Sequence, residues 1–65
     1  MSYKLFDVIV LTQDIKSEGL YSGALGTIVE IYQKPHVAYE VEFCDSTGKT
    51  LVQLALTADL FRPHK

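Results

Sequence analysis

The segment Ala38–Phe43 constrains the chain most, because Tyr39, Val41 and Phe43 alternate with Glu40 and Glu42. A period of two with one apolar and one charged set is the pattern of a strand that has one dry face and one wet face. A helix would scatter the same side chains around its surface. Nowhere in the 65 residues do apolar side chains recur at spacings of three and four for long enough to make a real helix. The expected fold class is therefore all-β. A chain of this length buries only about 60% of its unfolded surface, which leaves room for one core.

Other strands follow from composition and punctuation. Phe6 to Leu11 carries the continuous run Val8-Ile9-Val10-Leu11, suited to a strand covered on both faces. Residues 12–23 are polar and glycine-punctuated, with Ile15 and Leu20 as apolar anchors of a long folded-back loop. A second strand from Leu25 to Tyr32 is expected to place Thr27, Val29 and Ile31 on one face and Ile28, Glu30 and Tyr32 on the other. Gly23 suits the turn before it, and Gly26 suits a bent strand in which a side chain would obstruct closure.

Lys34-Pro35-His36 marks a turn, and Asp45–Lys49 a tight hairpin with Gly48 at positive φ and Asp45 bonding nearby amides. Along Thr50–Leu56, Val52, Leu54 and Leu56 share the core face. Thr57 to Leu60 reads as one 3₁₀ turn capped by Thr57, Phe61-Arg62 closes a barrel, Pro63 ends ladder donation, and His64-Lys65 is a frayed tail. No repeat or linker interrupts residues 1–65, which read as a single domain.

That order of strands is the order of a five-stranded SH3-like barrel with one 3₁₀ turn before the last strand. At the residue level the chain resembles the bacterial family called domain of unknown function 4926. The resemblance rests on Asp7–Thr12, on Gly19-Leu20 with Gly23-x-x-Gly26-Thr27-Ile28-Val29-Glu30, on Ala38–Phe43, and on Leu56-x-x-x-Leu60-x-Arg62-Pro63. It implies the barrel fold and a small standalone bacterial protein, of a kind whose genes neighbour toxin- or immunity-type genes. It supplies no catalytic residue.

Composition narrows the chemistry. Cys44 is the only cysteine, which excludes an internal disulfide and fits a reducing cytoplasm. No basic stretch followed by a long apolar run opens the chain, and no apolar run approaches the roughly 20 residues that cross a bilayer. The net charge is −2, and the six basic residues are scattered, leaving no stripe to neutralise phosphates. That argues against nucleic acid, although a KOW-like RNA- or ribosome-associated module is the alternative that the barrel permits. His36 and His64 alone do not make up a metal site's ligand count, so no metal or other cofactor is expected. Acidic Glu42 and Asp45 beside Cys44 discourage a thiolate, and Glu40 and Glu42 fit a solvated strand face. Gly23-Ala24-Leu25-Gly26 lacks the lysine and the helix of a phosphate loop. No nucleophile, base and orienting group can be named together, so the chain is not expected to be an enzyme.

A hydrophobic share of 48% is high for so small a chain and points to an additional buried surface. Tyr21, Ile28, Tyr32, Leu51 and Ala55 are the residues expected to form it: two tyrosines suited to interfaces, and three apolar residues opposite the core face. The expected function is a protein-interaction module of antitoxin or immunity type, which also forms a homodimer through this surface.

Overall fold

The computed structural model describes residues 2–64. Five antiparallel strands form one sheet: β1 (Val8–Leu11), β2 (Leu25–Tyr32), β3 (Ala38–Cys44), β4 (Thr50–Leu56) and β5 (Phe61–Pro63). Their order across the sheet is β4-β3-β2-β1-β5. The all-β class with a 3₁₀ turn, Ala58–Leu60, before the last strand is as expected from the sequence. Among the described residues β5 pairs only with β1, and no ladder joins it to β4.

The sheet nevertheless rolls up. β3 and β5 are three strand positions apart, which in a flat sheet is about 14 Å. Yet the rings of Tyr39 on β3 and Phe61 on β5 meet edge to face at 5.7 Å. The concave side holds a single core of Ile9, Leu11, Leu20, Ile28, Tyr39, Val41, Phe43, Leu56 and Phe61. Gly26 permits the tight curl: a Cβ there would lie 2.5 Å from Val41 Cγ1 and 2.8 Å from Phe43 Cε1.

Local chemistry shapes the connections. Ile15 and Leu20 bridge across a 3₁₀ turn at Lys16–Glu18 and pin the first loop to the core, where Leu20 is buried. In the hairpin, Asp45 Oδ1 accepts from the amides of Thr47 at 2.9 Å and Lys49 at 3.0 Å, while Gly48 takes φ 87°. Thr57 makes no side-chain cap; its hydroxyl donates to the Asp59 carboxylate instead. His64 is tied down, its amide donating to the Val8 carbonyl at 3.1 Å, and Lys65 lies outside the described residues.

Two strand readings need correction. β2 contains a bulge between Ile28 and Glu30, which reverses its phase: Ile28 pairs with Val41 and is fully buried, and Ile31 packs against the core beyond the bulge. Ile28 is therefore a core residue and not part of an exposed surface. The first strand begins at Val8, two residues later than expected, because Phe6 stands in a turn. Val10 is buried on the side away from Ile9 and Leu11, whereas Val8 is exposed, so the cover on both faces extends to only part of the strand.

Candidate functional site

The convex side of β2, β3 and β4 carries an internally bonded polar cluster around Glu40. Glu40 stands between its register partners Glu30 and Ala55. Its carboxylate accepts from Tyr32 Oη at 3.3 Å and from Gln53 Nε2 at 3.1 Å, while the Thr50 hydroxyl donates to Glu42. Burial, then the charge and hydrogen bond of Glu40, and the charge of Glu30 raise the Tyr32 pKa, which keeps its phenol a donor. Of the residues expected to form one apolar surface, Tyr32 and Ala55 thus flank Glu40. Leu51 sits at the strand end, where the ladder slips between Phe43 and Cys44, and Tyr21 is exposed in the loop before β2. The five do not come together as one patch.

A different site lies at the other side of the sheet. Lys4 to Asp7 form a tight turn, closed by the Asp7 amide on the Lys4 carbonyl at 3.1 Å and by the Lys4 amide on Asp7 Oδ2 at 2.9 Å. Its third position is Phe6 with φ 72°, the one described non-glycine residue at positive φ. Phe6 also donates to the Ile28 carbonyl at 2.7 Å, and Ile28 donates to the Asp7 carbonyl at 3.0 Å. Two residues thus oppose one, as in a bulge whose first residue is left-handed and normally glycine. The turn and the bulge both demand the conformation that a phenylalanine resists.

The Phe6 side chain is 71% exposed, and Leu5 beside it is also exposed. Phe6, Val8, Tyr3 and Pro63 line a cleft of about 570 Å³ together with the polar Ser2, Lys4, Asp7 and His64. Tyr3 is the wall that holds the cleft's shape. Its ring packs edge to face on Phe61 at 5.0 Å and on Tyr39 at 5.4 Å, anchoring the N-terminal segment over the open end of the core. Burial, then Tyr39 and Asp7, push the Tyr3 pKa up, so its hydroxyl is neutral at ordinary pH. A second hollow of about 360 Å³, lined by Ile31, Val37 and Tyr39, lies on the other side of Tyr3.

Sequence reasoning missed Tyr3 and Phe6 as site residues. The available signal was weak: two large apolar residues, Leu5 and Phe6, in a turn that contains no glycine. Among the described residues no three of His, Cys, Asp and Glu come together as metal ligands, and no helix is long and apolar enough to cross a membrane.

Fold and site together define a small all-β protein: a rolled five-stranded antiparallel sheet with an aromatic-walled cleft beside its N-terminal turn. The chain belongs to the family described as domain of unknown function DUF4926, whose model matches residues 5–63. No curated protein and no solved structure matches it.

Proposed function

We propose that this chain is a non-catalytic protein-interaction module that receives an apolar segment of its partner in the cleft beside Phe6. The observation that carries this reading is the conformation of Phe6. Holding an L-residue in the left-handed region costs about 1–2 kcal/mol, and such strain concentrates at sites that bind or switch. Here it is spent on presenting an aromatic ring to water. Asparagine or glycine would satisfy the same turn without strain, so the ring's use lies outside the isolated fold.

The cleft supports the reading by its size, within the range that holds a small ligand or a few side chains, and by its mixture of apolar and polar lining residues. The proposal leaves catalysis out, and the spread of the reactive groups supports that reading. Cys44 is exposed at the end of β3 and His36 lies in the turn before that strand, both outside the cleft, whose lining residues include His64 and Asp7 but no cysteine and no second histidine. Acyl or proton transfer requires nucleophile, base and orienting group within reach of one reacting atom.

The test is retention from an extract of the native source on immobilised wild type, Phe6→Asn and Tyr32→Phe. One protein held by the wild type and by Tyr32→Phe, and lost by Phe6→Asn, is the expected result. Retention that ignores Phe6→Asn would overturn the cleft assignment. Salt-released RNA in place of protein would overturn the function.

A further inference from the structure

The two edges of the sheet are built differently. β5 is three residues long and carries Arg62 and Pro63, devices that discourage a further strand from pairing there. β4 runs for seven residues, Thr50-Leu-Val-Gln-Leu-Ala-Leu, without a charge or a proline. Among the described residues it pairs with β3 alone, and no other backbone hydrogen bond reaches it. Its core-facing Val52 and Leu54 remain only half-buried, although they pack against the core, and Leu51 is 61% exposed. A bulge disturbs its first residues opposite Cys44, and from Val52 onward the ladder is regular.

We infer that a second copy of this chain adds to the β4 edge in antiparallel register centred on Gln53, joining two sheets into one of ten strands. The choice of occupant comes from the strand's own pattern: the two residues on each side of Gln53 are apolar and match in exposure, Val52 with Leu54 and Leu51 with Ala55, although Thr50 and Leu56 beyond them do not match. A two-fold axis there sets Val52 opposite Leu54 of the second copy, Leu51 opposite its Ala55, and Gln53 opposite itself. Paired residues in an antiparallel ladder share a face, so in the two inner pairs half-buried side chains meet half-buried ones and exposed meet exposed. Such an isologous contact closes on itself and leaves no further free β4 edge. The absence of charge on β4 suits a strand that meets its own copy, where any charge at the centre would face its like. The cleft beside Phe6 takes no part in this contact, so the inference stands independently of the proposed function.

The experiment is sedimentation of the wild type, Gln53→Lys, Gln53→Glu and an equal mixture of the two variants over a range of concentrations. Gln53 is exposed, but its amide donates to Glu40 and it pairs with Glu42, so the thermal transition of each variant is recorded beside its sedimentation and only folded variants are compared. The wild type is expected to dimerise as concentration rises, and each variant alone to associate up to about fivefold more weakly because like charges face each other. The mixture is expected to recover or exceed wild-type association as lysine meets glutamate. A wild type that stays monomeric to about millimolar concentration, or a mixture no tighter than the separate variants, would overturn the inference.

Discussion

Tyr32 and Phe6 are both exposed aromatic residues, and they are held in opposite ways. The Tyr32 hydroxyl is bonded to Glu40, which also accepts from Gln53, so on the β2–β4 surface the chain's own polar groups satisfy one another. Phe6 has no polar atom to satisfy, and the turn and bulge that hold it oppose its side chain. Exposure alone therefore does not distinguish a finished surface from a binding one. The difference lies in whether the fold uses the residue or strains to present it.

Substitutions can break this comparison in order of severity. Gly26→Val would erase it by unrolling the sheet beneath both regions: the new side chain starts 2.5 Å from Val41, and overpacking of this kind costs about 3 kcal/mol or more. Thermal melting should show a large loss or no cooperative transition. Tyr3→Ala would damage the cleft and spare the polar face. Losing two edge-to-face contacts should cost about 1–3 kcal/mol and abolish partner retention, while amide shifts on β4 stay unchanged. Tyr32→Phe removes one exposed hydrogen bond, and the melting temperature and partner retention should both stay within error.

The hairpin adds a small effect that pH reveals. Two backbone amides and the Thr47 hydroxyl bond Asp45, with that hydroxyl the largest influence, and hold its pKa below the ordinary range. A carboxyl whose pKa falls on folding stabilises the protein above its unfolded value, about 3.9, and that stability is lost as pH drops through the folded value. The small stability gap between wild type and Asp45→Asn, measured by urea unfolding, should thus be present at neutral pH and close in acid. A gap that widens in acid would contradict the assignment.

How much of this was legible in the sequence depends on whether a residue's type matches its backbone. The alternation of Tyr39, Val41 and Phe43, the tight packing around Gly26 and the Asp45–Gly48 hairpin could all be read directly, because there each residue type is the one its geometry demands. The bulge after Ile28 could not, since Thr27-Ile28-Val29 is uniformly β-branched and nothing local marks where the phase slips, so strict alternation puts Ile28 on the wrong face. Phe6 was hidden for a stronger reason. Its residue type suits a strand, and its left-handed conformation is imposed by pairing to Ile28, more than twenty residues away. Tyr3 owes its place to Tyr39 and Phe61, again distant in the chain.

The central claim is that the chain holds Phe6 under strain for a use outside the fold. Urea unfolding of Phe6→Asn against the wild type tests it most directly, because asparagine accepts the left-handed conformation without glycine's added freedom in the unfolded chain. The account predicts that the variant is more stable by about 0.5–1 kcal/mol. A variant less stable than the wild type by a similar margin would mean that the ring supports the fold, and would contradict the claim.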